Sequence, residues 1–419
     1  MLAKILSSII LQYFKSLNCD IIILKIRGVA EIVKFILGRA GSGKSKKINE
    51  IILNEINLGN EKLIVIVPEQ FSFEKEKSML EFLGNNKFSN VKVMSFSRLC
   101  DFIPSVLNIP AVKPSSDTAQ ILMISEAIES LKADLKMYAK GSVDMKVAEL
   151  VLKTIKELKS NKIDKEALQK IHDLCSKDIL KQKIKEMIAI YDAYKILCKS
   201  GEGDSADSLS ALEDIIRSSD FFEGYTVFFD GFSNFTAQQF SLIEEIMLQA
   251  KEIYMAFCVD EKESMISDYS LFLPSLKTIA KIKKIANKNF ISAEEKIILN
   301  ESVKFENSEL KILEENIFRP VKKAFEKTPK NIFLYNALDL SDECEQVART
   351  VRKLVMQGKC RYKDIVILTR DMQAYESVIK SSLRRYLIPF FVDAPEKLFN
   401  KNLTNLVLSA FDVIHGGFM

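Results

Sequence analysis

An eight-residue glycine-rich segment constrains this chain more than any other part of its sequence. It matches the phosphate-loop pattern G-x-x-x-x-G-K-[ST] at every fixed position. An apolar segment typical of a buried strand, residues 31–37, precedes it, and a segment with helical apolar spacing, residues 46–54, follows it. A helix N-terminus after a glycine turn favours bound phosphate, so the sequence predicts a nucleotide site. The eight residues are Gly38, Arg39, Ala40, Gly41, Ser42, Gly43, Lys44 and Ser45.

The chemistry of such a loop assigns roles to its last two residues and requires one more residue elsewhere. Lys44 is expected to reach the β- and γ-phosphates of ATP, and the Ser45 hydroxyl is expected to bind Mg²⁺. A second magnesium ligand normally ends a buried strand of the same sheet. Asp230 fits this position, because five apolar or β-branched residues precede it. ATP and Mg²⁺ are therefore the predicted cofactors, with an ordinary turn aspartate as the alternative for Asp230.

Two further residues bear on what the nucleotide would do. Gly231 follows Asp230, whereas motor ATPases commonly carry a glutamate there that activates water. The sequence therefore favours nucleotide binding over hydrolysis. Arg370 follows an apolar segment in the C-terminal part of the chain, where a second domain commonly supplies an arginine that senses the γ-phosphate. A surface arginine in a loop is the alternative.

The order of apolar segments predicts the fold class. Strand-like and helical segments alternate in the N-terminal part, as in an α/β protein with a doubly wound parallel sheet. A lysine- and glutamate-rich helical region interrupts this alternation, and a second alternation begins near residue 331 and is expected to be incomplete. The predicted organisation is an N-terminal extension (1–30), a P-loop ATP-binding domain (31–110 and 218–300), an all-helical insertion (111–217) and the start of a second α/β domain (301–419). The predicted strands are 31–37, 62–67, 91–96, 225–230 and 252–258 in the first domain, and 331–335, 364–368 and 388–392 in the second.

Composition excludes some classes of site. The net charge of +4 arises from 60 basic and 56 acidic residues, so DNA contact would have to come from local clustering. The seven cysteines form no C-x-x-C pair and there are two histidines, so zinc and iron–sulfur spacing is absent from this chain. Unpaired cysteines indicate a reducing, cytoplasmic location. No apolar stretch reaches the ~18–20 residues of a membrane span, so no membrane association is expected.

Several motifs together resemble a known family. Two nucleotide-binding halves with a helical insertion are similar to superfamily 1 helicases. The closer resemblance is to AddB, the family of B subunits of bacterial ATP-dependent helicase/deoxyribonucleases, from about residue 33 to the end. The segments that carry it are GRAGSGKS at 38–45, IVPEQFSFEKE at 66–76, VMSFSRL at 93–99, FFDGFSNFTAQQ at 228–239, YKDIVILTR at 362–370 and YLIPFFVD at 386–393.

This resemblance implies a DNA-processing role. The family acts as a heterodimer with an AddA-like helicase/nuclease subunit on single- and double-stranded DNA, and it resects double-strand breaks for recombinational repair. Its nuclease domain, with a 4Fe–4S cluster, lies in a C-terminal part that this chain does not contain. Lys44, Ser45, Asp230 and Arg370 are implied at the ATP–magnesium site. The implied DNA contacts are Pro68, Gln70, Phe71, Ser95, Phe96 and Arg98.

Two other functions remain open on the sequence. The first is a superfamily 1 DNA helicase that acts alone, which predicts a glutamate in the position of Gly231. The second is a structural module in which ATP only stabilises the fold of a larger complex. Single-stranded DNA binding distinguishes the second alternative from the leading interpretation.

Overall fold

A computed structural model of the chain describes residues 32–112, 115–138, 144–198, 205–260, 270–293, 295–319, 324–393 and 401–416. The predicted N-terminal extension, residues 1–30, lies outside the described residues. The chain divides into two compact units between Ala324 and Phe325, and each unit is described by itself.

A six-stranded, fully parallel sheet forms the centre of the first unit, with strand order β3-β2-β4-β5-β1-β6. Every residue of β2 and β4 is buried, which explains why these strands appear in the sequence as uninterrupted apolar runs. The predicted parallel α/β sheet is therefore confirmed. The sixth strand, at the sheet edge, was not predicted, because its apolar run is only three residues long. Its four residues alternate between exposed and half-buried. The strands are β1 (Ile32–Gly38), β2 (Leu63–Ile66), β3 (Val91–Met94), β4 (Thr226–Phe229), β5 (Glu252–Cys258) and β6 (Lys296–Leu299).

Helices cover both faces of this sheet. Successive strand side chains point to opposite faces, so Phe35 enters one apolar cluster and Ile36 the other. Ile48 and Met79 bring the first two helices onto the face of Ile36. The helices outside the helical region are α1 (Lys44–Asn57), α2 (Ser72–Leu83), α3 (Asn85–Phe88), α4 (Phe96–Leu107), α9 (Ser205–Ser218), α10 (Ala237–Met247), α11 (Leu273–Lys288) and α12 (Ser308–Asn316).

Three of the four helices between α4 and α9, namely α5, α6 and α8, share an apolar core of their own. This core includes Ile124, Val151, Ile155 and Tyr194, all of which are buried. No helix among the described residues is long and apolar enough to cross a membrane. The four helices are α5 (Asp117–Ser130), α6 (Met145–Ser160), α7 (Lys165–Leu174) and α8 (Asp178–Leu197).

The second unit is helical in its described residues. Buried Ala348 of α13 and Leu383 of α14 belong to its small apolar core. The predicted strands at 331–335, 364–368 and 388–392 were wrong: none of these segments is a strand in the described part of the chain. A strand requires a backbone ladder, and these segments lack one while leaving apolar side chains exposed, as at Leu334 (98%) and Phe391 (90%). The helices are α13 (Leu340–Met356), α14 (Met372–Arg385) and α15 (Asn402–Gly416).

Candidate nucleotide-binding site

The glycine-rich loop joins the C-terminal end of β1 to the first turn of α1. It lies at the carboxyl ends of the parallel strands, where α/β proteins bind ligands. Gly41 and Gly43 have φ angles of +75° and +84°, a region that side chains with a Cβ rarely adopt. A Cβ on Gly38 would stand 2.4 Å from Ser42 Oγ and 2.7 Å from the Leu299 carbonyl oxygen. Backbone conformation and close packing therefore both require glycine in this loop.

Lys44 is held within the loop itself. Its Nζ donates hydrogen bonds to the carbonyl oxygens of Gly38, at 2.9 Å, and Arg39, at 2.7 Å. Burial lowers the pKa of Lys44, and this effect outweighs the opposing influence of nearby Asp230 and other acidic groups. The Oγ of Ser42 is buried without a hydrogen-bond partner among the described residues. The loop therefore presents a partly desolvated cation and an unsatisfied hydroxyl, both of which are hydrogen-bond donors.

Asp230 follows the end of β4 and is 7% exposed. Its Oδ2 accepts a hydrogen bond from Lys75 Nζ at 2.8 Å, and Lys75 is itself 8% exposed. The same amine donates to Asn49 Oδ1 at 3.1 Å, so it connects α2 and α1 to the end of β4. Ser45, the other predicted magnesium ligand, is exposed. The carboxylate of Asp230 is thus already paired with a cation.

Gly231 has a backbone conformation that accounts for its identity. Its φ angle is +84°, and a Cβ at this position would lie 3.3 Å from Pro68 Cδ and 3.8 Å from Phe71 Cδ2. A glutamate here would be strained both by the backbone and by the adjacent Pro68. The absence of the glutamate found in motor ATPases is therefore built into the packing of this turn.

A segment of the same unit covers the loop. The backbone N–H groups of Val303 and Lys304 donate to the Gly41 carbonyl oxygen at 2.9 and 3.0 Å, and the Phe305 ring would lie 3.1 Å from a Cβ on Gly41. Glu314, further along this segment, accepts from Arg39 Nε at 3.0 Å. No sequence signal predicted this cover, because its contacts join residues far apart in the chain, 275 positions in the case of Arg39 and Glu314.

Arg39 forms the centre of an ion-pair cluster at the loop. Asp260 accepts from Arg39 Nη1 at 2.8 Å and from Arg319 Nη2 at 3.1 Å. Burial alone would lower the pKa of Arg39, but the hydrogen bonds to Glu314 and Asp260 outweigh it and raise the pKa. The guanidinium therefore stays charged and links the loop to both carboxylates.

The residues predicted to contact DNA fall into buried and exposed groups. Ser95 is fully buried, where its Oγ caps α4 by accepting from the Arg98 backbone N–H at 3.3 Å. Phe96 is 4% exposed and packs edge-on against Phe232, with ring centroids 5.7 Å apart. Their side chains hold the fold together, which leaves them unavailable to DNA in this structure. The other four are less buried, with Pro68 half-buried and the side chains of Gln70, Phe71 and Arg98 exposed.

Acidic side chains join the two predicted DNA-contact segments into one surface. Glu69 accepts from the Ser97 backbone N–H at 3.0 Å and from Ser97 Oγ at 2.7 Å. Glu76 forms an ion pair with Arg98. Phe73, which the sequence interpretation did not select, lies at the start of α2 and is 75% exposed. A second aromatic residue three positions after Gln70 was the signal available in the sequence.

The remaining predicted site residue, Arg370, belongs to the second unit. It is exposed and lies just before α14. Its predicted role toward the nucleotide stays a prediction. Among the described residues of the chain, no group of three or more His, Cys, Asp and Glu side chains is placed to hold a metal ion.

Two family models match the chain. A model described as UvrD-like helicase C-terminal domain matches residues 285–415, and a model described as ADDB, N-terminal matches residues 35–314. Together with the parallel sheet, these matches define a helicase-like α/β protein. The chain belongs to the AddB family.

Curated relatives agree with this assignment. The B subunit of the ATP-dependent helicase/deoxyribonuclease from Clostridium novyi (strain NT) is 32% identical over 386 residues, which are 91% of this chain and 34% of the relative. The protein of the same name from Thermoanaerobacter sp. (strain X514) is 31% identical over 385 residues, again 91% of this chain and 34% of the relative. The chain therefore spans about a third of the length of these relatives.

Proposed function

We propose that this chain is the ATP-binding and DNA-binding, helicase-like part of an AddB protein. In this proposal it pairs with an AddA-like helicase/nuclease subunit, and the heterodimer resects double-strand breaks for recombinational repair. The names of the relatives, which describe one subunit of a helicase/deoxyribonuclease, support a partner and a DNA substrate. The proposed domains are a P-loop ATP-binding domain of the superfamily 1 helicase type (31–110 and 218–324), a helical insertion (111–217) and a second helicase-like domain (325–419). The second domain is proposed to begin at 325 and not at the predicted residue 301, because residues 301–324 belong to the first compact unit.

The glycine-rich loop carries the proposal of ATP binding. Its left-handed glycines, the partly desolvated Lys44 amine and the unsatisfied Ser42 hydroxyl fit a bound polyphosphate. ATP would supply three phosphates with negative charge, and the loop amides and Lys44 would hold them. The residues proposed for magnesium fit less well, because the Asp230 carboxylate is already paired with Lys75.

Competition with a fluorescent ATP analogue tests this site. We expect anisotropy of the analogue to rise with the wild-type chain, to fall when excess ATP is added, and to stay low with Lys44→Ala. Equal binding by wild type and Lys44→Ala, or none by either, would contradict the proposal.

Hydrolysis is proposed to be slow or absent in the isolated chain. No glutamate follows Asp230, and the geometry of Gly231 opposes placing one there. Steady-state ATP turnover with single-stranded DNA and without a partner chain tests this. Turnover at motor rates, on the order of 10 s⁻¹ or more, would favour the alternative of a helicase that acts alone.

DNA contact is proposed at the exposed surface formed by Pro68, Gln70, Phe71 and Arg98. Aromatic side chains stack on bases and an arginine contacts phosphate, so Phe71 and its exposed neighbour Phe73 suit a single strand. We expect Phe73→Ala to weaken binding of a fluorescent oligonucleotide by about tenfold, as loss of one stacked base implies. Leu58→Ala, which removes an exposed apolar side chain elsewhere, is the matched control.

Salt dependence distinguishes DNA contact from the structural-module alternative. Phosphate contacts release counterions, so affinity for the oligonucleotide should fall steeply as salt rises, whatever its sequence. A chain that binds ATP but shows no affinity for single-stranded DNA at low salt would favour the structural module.

A further inference from the structure

The buried ion pair between Lys75 and Asp230 lies at the C-terminal end of β4, the same end of the parallel sheet as the glycine-rich loop after β1. The two charged atoms are 2.8 Å apart, and each residue is less than a tenth exposed. Asn49 Oδ1, from the helix that begins at Lys44, accepts from the same amine at 3.1 Å. Lys75 therefore supplies a cation at the carboxylate where a phosphate-loop protein usually has magnesium.

The Lys75 ammonium and a Mg²⁺ ion are difficult to accommodate together on the Asp230 carboxylate. A lysine ammonium is a compact point charge with three donors, two of which are directed to Asp230 and Asn49. A divalent ion on the same carboxylate would lie close to this ammonium, and like charges at such separations repel strongly in a low-dielectric site. Displacing Lys75 instead would leave a buried ammonium without its charged partner, which is strongly unfavourable.

We propose that Lys75 is the resident cation of this site and that ATP binds to the chain without requiring a divalent metal. The proposal rests on the ATP site proposed above. Lys75 neutralises Asp230, so the carboxylate does not repel the phosphates, and Lys44 and the loop amides hold them. Lys75 acts through Asp230 and is a positioning residue.

Titration calorimetry of ATP in excess Mg²⁺ and in excess EDTA tests the proposal. For the wild-type chain we expect the two dissociation constants to agree within about threefold, well below the tenfold that corresponds to 1.4 kcal/mol. For Lys75→Met we expect the dissociation constant in EDTA to exceed that in Mg²⁺ by about tenfold or more, because the bare Asp230 carboxylate then needs the metal. Lys77→Met, which removes an exposed lysine from the same helix, should behave as wild type.

A double variant separates charge from folding. Lys75→Met combined with Asp230→Asn leaves no unpaired buried charge, so it should fold and should again bind ATP equally well with and without Mg²⁺. If Lys75→Met alone does not fold, the double variant shows whether ATP binding depends on Mg²⁺ once the Asp230 charge is removed. A wild-type affinity that falls tenfold or more in EDTA would overturn the proposal. So would a Lys75→Met variant that melts at a lower temperature but keeps the wild-type ratio of the two constants, since Lys75 would then be only structural.

Failure of the underlying ATP site gives a different result. The wild-type chain would then bind no ATP in either buffer, or Lys44→Ala would bind as tightly as wild type in both. Metal-independent binding that is lost in Lys44→Ala supports both proposals together.

Discussion

Gly231 lies directly against Pro68: a Cβ on Gly231 would stand 3.3 Å from Pro68 Cδ, in a backbone conformation with φ of +84°. This contact joins the turn after Asp230 to the segment that follows β2. Two of the motifs that identify the family therefore meet at one point. The glycine is required there for reasons of both conformation and space.

Gly231→Ala is expected to destabilise the chain more than an equivalent change elsewhere. Gly59 provides the matched control, because its φ angle is also +84° but nothing lies within 4 Å of its added Cβ. Gly59→Ala should cost about 1 kcal/mol of unfolding free energy from backbone strain alone. Gly231→Ala should cost about 1 kcal/mol more, because Pro68 must move. Urea denaturation measures both, and equal costs would show that the contact with Pro68 is unimportant.

Glu314→Gln is expected to loosen the segment that covers the glycine-rich loop. The variant weakens the partly buried pairing with Arg39, which contributes about 1 kcal/mol and so about fivefold in an opening equilibrium. Hydrogen exchange of a peptide containing Val303 and Lys304 should accelerate by about that factor, because their N–H groups bond to Gly41. Glu306→Gln, an exposed carboxylate on the same segment, should leave the exchange unchanged. Unaltered exchange in Glu314→Gln would show that Arg39 does not hold the cover.

Glu186 predicts a pH dependence of stability in the helical region. Burial opposes its ionisation, but hydrogen bonds from Gln182 and from three backbone N–H groups, Lys136 to Tyr138, outweigh burial and lower its pKa below the ordinary value of 4.5. Its contribution is therefore present above pH 4.5 and is lost as the pH falls through the folded-state pKa. Glu186→Gln should lower the unfolding free energy at pH 7 by about 1–3 kcal/mol.

The difference between Glu186→Gln and wild type should shrink as the pH falls below 4.5. Thermal melts across this range measure it, with the exposed Glu149→Gln as the control. A difference that stays constant with pH would show that the Glu186 charge contributes nothing through these hydrogen bonds.

The sequence predicted the parallel sheet because its signals are local. Buried strands such as β2 and β4 are short apolar runs, and the loop motif lies between a strand and a helix. The edge strand β6 was missed because its apolar run, residues 297–299, is too short to distinguish a strand from a helix. The strands predicted in the second unit failed because pairing depends on neighbouring segments, which an apolar run such as 364–368 does not specify.

The candidate site likewise contains residues that the sequence could predict and residues that it could not. Lys44 and Asp230 were selected because each ends or follows a recognisable element. Lys75 was not selected, because a lysine on a charged helix resembles an ordinary surface residue. It lies 155 positions from Asp230 in the sequence, and only the fold brings the two charged atoms within 2.8 Å. Phe96 resembles a DNA contact in its motif, but the aromatic cluster around Phe232 buries it.

The central claim is that the loop around Lys44 binds ATP, and calorimetry with two lysine variants tests it most directly. Lys46→Ala, an exposed lysine two residues further along the same helix, controls for loss of positive charge. We expect wild type and Lys46→Ala to bind ATP with similar affinity and Lys44→Ala to bind at least about tenfold more weakly, a loss of 1.4 kcal/mol or more. Equal affinity in all three proteins, or no detectable binding by the wild-type chain, would contradict the account.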